Sequence, residues 1–196
     1  MPTVPALDED ALLGDAFRDL HGSRLNGFAI LVSLGEARSA ERVAGEALAA
    51  GAEQAAALRH PERAAAWLRA RTLRGLRRGR SHGRSTPDGE RRDALAALGA
   101  DDAVFQGLAA LSLEARAALV ASAIERIGPI DIETILRAGP GTTRRIIAEA
   151  RDRYLRVVAN LPGGPPSAPP EHPGGELASR VRGVAARAIS AGAGPR

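Results

Sequence analysis

Hydrophobic positions recur at helical spacing along most of the chain, most clearly in residues 112–158. In the first part of this stretch the positions that share one face of a helix are Leu113, Leu119, Val120, Ala123, Ile124 and Ile127. This period predicts an amphipathic helix. Ser112 has the side chain of an N-cap, and Gly128 with Pro129 predicts the end of the helix.

Two further helices are predicted downstream. Asp131 is expected to cap a short helix that turns Ile132, Ile135 and Leu136 inward. Residues 138–141 read Ala-Gly-Pro-Gly and predict a sharp turn, because glycine permits a positive φ and proline fixes its own. Thr142 is expected to cap a third helix, whose apolar arc is formed by Ile146, Ile147, Ala150, Tyr154, Val157 and Val158.

The polar face of the third helix carries Arg144, Arg145 and Arg151. A helix, a short helix, a turn and a basic helix follow one another in the order of a helix-turn-helix. In that motif the first turn of the recognition helix meets base edges and its amides meet phosphate. A small helical hairpin with a solvated arginine face has a similar pattern, and the sequence leaves this alternative open.

The first half of the chain also has helical periodicity. We predict a helix capped by Asp10, a second segment from Ser23 that ends at Gly35, and an alanine-rich helix over 36–58 with its acidic residues outside an apolar seam. Pro61 is placed to open another helix, because the first helical position does not need an amide proton. That helix carries the single tryptophan, Trp67.

Arginines crowd between these two halves, at Arg69, Arg71, Arg74, Arg77, Arg78, Arg80, Arg84, Arg91 and Arg92. Residues 79–89 have the composition of a flexible linker. A basic helix end that continues into a basic linker is the electrostatic footprint of nucleic acid. A merely solubilising linker is the alternative.

These patterns divide the chain into five parts. We predict helical domains over 8–78 and 93–160 joined by a flexible basic linker over 79–92, with short helices over 93–98 and 101–111. A Pro/Gly-rich tether follows over 161–175, and an amphipathic helix with a tail over 176–196. That last helix is expected to stabilise or regulate by docking on this chain or a partner, although so short a segment can also fray.

Composition supports a fold built from helices alone. The chain has 196 residues, of which 44% are hydrophobic and only 3% aromatic, and no alternating run reaches the length of a strand. Its net charge is +4, and all 27 basic residues are arginines. Arginine forks suit phosphate and guanine, but a GC-rich genome produces the same usage.

Several classes of protein are not expected. The apolar run over 28–34 is far shorter than the roughly 20 residues of a membrane span, and the first ten residues do not resemble a signal peptide, so we expect a soluble cytoplasmic protein. The chain has no cysteine, and His21, His60, His82 and His172 are widely separated. With no phosphate loop or nucleophile elbow, we expect no enzyme, metal site, cofactor or small-molecule substrate.

The order of these parts resembles a bacterial RNA polymerase sigma factor of the extracytoplasmic-function group. The resemblance covers residues 11–158. In the first half, residues 15–20 are similar to the opening of region two, residues 35–48 to its acidic stretch, and residues 61–68 to its Asp-Pro-Glu-Arg and Ala-Trp-Leu motifs. In the second half, residues 114–116 are similar to the start of region four, and residues 141–144 and 150–155 to its recognition helix.

The resemblance implies three binding surfaces and a fold of two small helical domains. Core RNA polymerase would be bound through Glu36, Glu41 and Glu46. The unwound promoter strand would be held by Trp67, Arg69, Arg71, Arg74, Arg77 and Arg78. Duplex promoter DNA would be read through Thr142, Thr143, Arg144 and Arg145, with Arg151 on phosphate. An anti-sigma factor is a further candidate partner.

The sequence departs from the family pattern at several positions. Arg42 and Gly45 replace an aspartate and a glutamine of the acidic stretch, and Thr72 stands near the place of an asparagine. In the helix-turn-helix, Glu133 replaces a small alanine and Arg137 replaces the turn glycine. Two alternatives to promoter-directed initiation therefore stay open: a degenerate sigma-like protein that acts through protein contacts, and a free-standing helix-turn-helix regulator.

Overall fold

A computed structural model describes residues 9–58, 60–79 and 86–161. Within these ranges the chain forms helices and no strand, so the predicted all-α class is confirmed. No helix in the described part is both long and apolar enough to cross a bilayer. The helices are α1 (Glu9–Ser33), α2 (Ala37–Ala52), α3 (Pro61–Gly79), α4 (Asp88–Ala96), α5 (Asp102–Ala109), α6 (Leu113–Leu119), α7 (Pro129–Leu136) and α8 (Pro140–Ala159), with a π-helical segment (Val120–Ile124) after α6.

Helix α1 is continuous where two segments were predicted. Gly22 lies within it, where α1 approaches α2: a Cβ built there would be at an ordinary contact distance, 3.7 Å, from Leu48 Cδ1. Helix α2 is shorter than predicted, since it ends at Ala52 and turns follow as far as Leu58.

Proline sets the start of α7 and α8, and the predicted caps at Asp131 and Thr142 are wrong. Pro129 and Pro140 occupy the first helical positions, where the missing amide proton costs nothing, and Gly128 and Gly139 are the N-cap residues. The cap predicted for α6 is confirmed, because the Ser112 hydroxyl accepts a hydrogen bond from the Ala115 amide at 3.2 Å.

Three described residues other than glycine adopt the left-handed conformation: Leu34 (φ 60°), Arg126 (φ 55°) and Arg137 (φ 55°). Each terminates a helical segment. The Gly35 amide donates to Ile30 O at 2.9 Å, the Ile127 amide to Ala121 O at 2.9 Å, and the Ala138 amide to Glu133 O at 3.1 Å. These bonds, which reach back across the last turn, satisfy carbonyls that a helix end would otherwise leave unpaired. The sequence prediction placed the positive φ of the α7–α8 turn on its glycines, but it falls on Arg137.

Helices from both halves of the chain share one apolar cluster, which we call the shared cluster. The first half contributes Phe28, Leu31, Val32, Leu34, Val43, Ala66, Leu73 and Leu76, and the second half contributes buried residues from Leu95 to Tyr154. A second cluster, which includes Phe17, Leu25 and Leu68, lies within the first half alone. The packing of α3 against α7 joins the halves. Two self-contained cores therefore do not describe the packing, although the predicted domain boundaries stay a prediction.

The predicted linker is partly helical. Gly79 ends α3, and residues 88–92 form the start of α4, which packs against α1 and α5. Residues 80–85 lie outside the described part of the chain. The predicted tether, apart from Leu161, and the amphipathic helix over 176–196 also lie outside it.

Candidate nucleic-acid interface

Helices α7 and α8 form the geometry of a helix-turn-helix. The eight-residue α7 and the twenty-residue α8 are in contact, and only residues 137–139 separate them. A turn of three or four residues is typical of this motif. Ile132, Ile135 and Leu136 are buried, as predicted, and so are Ala150 and Tyr154 of α8.

The outer face of α8 is exposed and basic. Its apolar side packs against α5, α6 and α7. Five arginines of this helix are exposed, against two acidic residues, Glu149 and Asp152. The five arginines are Arg144, Arg145, Arg151, Arg153 and Arg156. Their internal contacts are weak: Arg145 Nη1 lies 3.5 Å from Glu149 Oε1, and Arg144 Nε lies 3.4 Å from the Pro140 carbonyl oxygen.

The two threonines at the start of α8 differ in exposure. Thr142 is exposed and can meet a ligand. Thr143 is buried, with 1% of its surface exposed, and its hydroxyl donates toward the Ala138 carbonyl oxygen at 3.4 Å. The Thr143 side chain therefore faces the turn and not the outer surface of α8, and its expected contact with DNA stays a prediction.

Helix α3 presents a stripe of aromatic and basic side chains. Trp67 is half-buried, and the Arg71 guanidinium lies 5.5 Å from the centre of its ring. Arg74 and Arg78 are exposed and follow on the same face, since they stand seven and eleven residues after Trp67. Arg77 is exposed beside them and forms an ion pair with Glu114 of α6 at 2.8 Å.

Arg69 lies on the opposite side of α3 and is only 4% exposed. Its guanidinium forms a bidentate ion pair with Glu125, the residue after the π-helical segment. The guanidinium also lies 5.5 Å from the centre of the Phe28 ring. It also donates to the Ala65 carbonyl oxygen at 3.0 Å. Arg69 is therefore engaged inside the protein, and the expectation that it holds a DNA strand does not fit its place. Helical periodicity could have placed Arg69 and Arg71 on different faces of α3, because residues two positions apart are rotated by about 200° around the helix axis.

The three glutamates expected to bind polymerase are not equivalent. Glu41 is exposed on α2, and Glu46 is exposed while pairing with Arg42 at 2.8 Å. Glu36 is half-buried, accepts a hydrogen bond from the Thr86 hydroxyl at 2.6 Å and lies 3.6 Å from Arg91 Nε. Two of the three are thus available at the surface.

Two of the histidines lie in the described part of the chain, and neither forms a metal site. His21 is buried against the Phe17 ring, with 4.7 Å between ring centres, whereas His60 is exposed. Burial lowers the pKa of His21 below 6.5, and the charges of Arg69 and Arg24 lower it further. Among the described residues no three His, Asp or Glu side chains are grouped closely enough to hold a metal ion.

Arg126 and Arg137 were not predicted to belong to the interface. Both side chains are exposed near the ends of α7, beside the motif. Arg153 and Arg156, farther along α8, were also left out. The signal for the α8 pair was present, because a helical projection places Arg156 about 20° from Arg145 and Arg153 about 60° from Arg156. Arg137 stands where the family pattern has its turn glycine, which is a signal for a left-handed backbone at that position, whereas no local pattern indicates the backbone conformation of Arg126.

The chain matches no family model, no curated protein and no solved structure.

Proposed function

We propose that this protein binds duplex DNA through the helix-turn-helix formed by α7 and α8. The observation that carries the proposal is the outer face of α8, where five exposed arginines stand on a helix whose other side is packed into the protein. Arginine presents a planar fork that pairs with guanine edges and with phosphate oxygens. A helix of this charge, at the end of a three-residue turn, fits the major groove.

We expect different tasks for the first turns of α8 and for its middle. Thr142, Arg144 and Arg145 lie in the first turns, which in a helix-turn-helix meet base edges. Arg151 lies about two turns farther along and is suited to phosphate. Phosphate contacts release counterions, so binding should weaken steeply with salt, with a slope of about −0.9 for each phosphate neutralised.

The test compares the wild type with Arg144→Ala/Arg145→Ala. Selection of bound sequences from a random duplex pool, followed by titration, gives both affinity and preference. The double variant should lose the sequence preference and at least about thirtyfold in specific affinity, since each bidentate arginine–base pair contributes about 1–3 kcal/mol.

The matched control is Arg38→Ala/Arg63→Ala, which removes two exposed arginines from α2 and α3 and so changes the net charge equally. It should keep the preference. If the two double variants bind selected DNA alike, the α8 face does not read DNA.

A sigma-factor role is the second candidate function, and it extends the first. It is supported by the exposure of Glu41 and Glu46 on α2 together with the stripe of Trp67, Arg71, Arg74 and Arg78 on α3. The family resemblance assigns these surfaces to core RNA polymerase and to the unwound promoter strand. The shared cluster sets a condition on this role: if the α3 and α8 surfaces must move independently, the contact between α3 and α7 has to open.

Co-purification with core polymerase and transcription in vitro separate the candidates. Glu41→Arg/Glu46→Arg should abolish binding to polymerase, whereas Glu53→Arg/Glu62→Arg, at two other exposed glutamates, should not. Specific start sites would support initiation, and an anti-sigma factor would then be sought as regulator. Binding without initiation would support a sigma-like protein that acts through protein contacts. Absence of binding would leave the free-standing DNA-binding regulator.

A further inference from the structure

Helix α7 has a left-handed arginine near each end. Arg126 lies three residues before its first residue, and Arg137 is its C-cap. The backbone of both is required by the helix ends, because the left-handed residue lets the next amide reach back to Ala121 O and to Glu133 O. Glycine takes this conformation freely, whereas a residue with a Cβ is strained in it.

The third left-handed residue shows how such strain is normally offset. Leu34 is buried in the shared cluster, with 5% of its surface exposed, so removal of its side chain from water compensates for the backbone. Arg126 and Arg137 are both exposed, and neither side chain forms a hydrogen bond or an ion pair with any residue in the described ranges. Contacts within that part of the protein do not account for arginine at these two positions.

The surroundings of the two arginines favour an anion as partner. The exposed residues of α7 between them are uncharged: Pro129, Ile130 and Thr134. Asp131 and Glu133 of the same helix are half-buried, and the neighbouring Glu125 is engaged by Arg69. With eight residues, α7 is about 12 Å long. In a helix-turn-helix this is the helix that crosses the DNA backbone.

We propose that Arg126 and Arg137 each bind a DNA phosphate and so hold α7 across the backbone while α8 enters the groove. This inference rests on the proposed DNA binding and adds two contacts to it. Phosphate contacts fix register and affinity but carry no base information. The two arginines are therefore positioning residues, and their loss should weaken binding to every duplex by the same factor.

The experiment substitutes Arg126 and Arg137 by glycine, by asparagine and by lysine, singly and together. Glycine and asparagine tolerate the left-handed backbone and remove the charge, whereas lysine keeps the charge. Each glycine variant should raise the Tm by about 2 °C or more, because strain is relieved. Each neutral variant should lower affinity for specific and random duplexes alike, by about eightfold at 0.1 M salt, and reduce the salt slope by about 1. The lysine variants should keep the wild-type slope.

Glycine and asparagine variants that keep the wild-type affinity and salt slope would overturn the inference, as would a loss confined to selected sequences. A fall in the Tm of the glycine variants would also overturn it, because the arginines would then be held by contacts within the protein.

Arg144→Ala/Arg145→Ala separates this outcome from failure of the proposed function. If that variant loses sequence preference while the glycine variants bind normally, DNA binding stands and only the phosphate contacts fail. If the wild type binds no duplex, the proposed function itself fails.

Discussion

Gly35 has no room for a side chain. Its φ is +80°, and a Cβ built on it would overlap the carbonyl oxygen of Arg91. The Arg91 side chain strengthens the same junction, because its Nε donates to the Leu34 carbonyl oxygen at 2.9 Å. The end of α1 and the start of α4 therefore meet backbone to backbone. The sequence predicted that Gly35 closes a helix, but a local pattern contains no information on the distant partner that comes this close.

His21 should make stability depend on pH. Burial and the charges of Arg69 and Arg24 lower the pKa of His21 in the folded state below 6.5, whereas in the unfolded chain the pKa of a histidine is about 6.5. The unfolded state therefore takes up more protons as the pH falls, and its free energy drops relative to the folded state. The stabilising contribution of neutral His21 is present above about pH 6.5 and is lost on acidification through the folded-state pKa.

Denaturant unfolding at several values between about pH 7.5 and 5.5 measures this effect. The wild type should lose stability with acidification more steeply than His21→Gln, while His60→Gln, at an exposed histidine, should follow the wild type. Equal slopes for the wild type and His21→Gln would show that His21 does not carry the dependence.

Single residues of the candidate site were predictable only as far as helical periodicity reaches. It placed Arg144 and Arg145 outside and Ala150 and Tyr154 inside, as the structure has them. The burial of Thr143 and Arg69 was not predicted, since each residue was assigned to the site from its place in a motif and not from its angular position on the helix. The buried partner of Arg69, Glu125, directly follows a π-helical segment, and no pattern of apolar residues predicts that segment.

At the scale of elements, the π-helical segment links the two halves of the protein. Its wider turn is followed directly by Glu125, whose carboxylate pairs with Arg69 of α3. Both side chains are largely removed from water, with 5% of the Arg69 side chain and 14% of the Glu125 side chain exposed. Loss of one partner strands the other charge in the interior, whereas loss of both does not.

A double-mutant cycle should reveal this coupling. Arg69→Met and Glu125→Gln should each cost about 3–5 kcal/mol of unfolding free energy, and the double variant should cost less than their sum by well over ~1 kcal/mol. The exposed pair Arg77–Glu114, which joins α3 to α6, is the matched control and should give a coupling of about 1 kcal/mol or less. Additive losses at Arg69 and Glu125 would mean that the buried pair does not act as a unit.

Element boundaries were predicted where one local signal dominates. Pro61 and Ser112 begin or cap helices as expected. At Asp131 and Thr142, a capping side chain and an upstream proline compete, and the proline determines the start in both helices. The glycines of the α7–α8 turn were misleading as well, because the left-handed residue is the C-cap of α7, Arg137, and not one of these glycines.

At the scale of the whole molecule, hydrophobic periodicity identifies the buried side of a helix but not the helix that covers it. The basic, glycine-containing stretch between the halves suggested two modules, yet Leu73 and Leu76 of α3 belong to the same cluster as Ile132 and Ile135 of α7. An all-α class follows from local pattern, whereas the association of the halves depends on contacts that are far apart in sequence.

The shared cluster predicts that both halves unfold in one transition. The single tryptophan and the single tyrosine report on them separately, since Trp67 lies on α3 and Tyr154 on α8. Tyr154 is buried, and its burial, with the charge of Asp101, raises its pKa to about 12. Denaturation followed by tryptophan fluorescence and by tyrosine absorbance should give the same midpoint. Two separate midpoints would indicate that the halves are independent.

Because α3 and α7 are in contact, a ligand bound to one half of the protein should also reduce local opening in the other half. In a cooperative unit, binding to the folded state lowers the population of every opened form, including those that expose segments remote from the ligand. A duplex held by α8 should therefore slow hydrogen exchange at the amides of α1, a helix outside the helix-turn-helix.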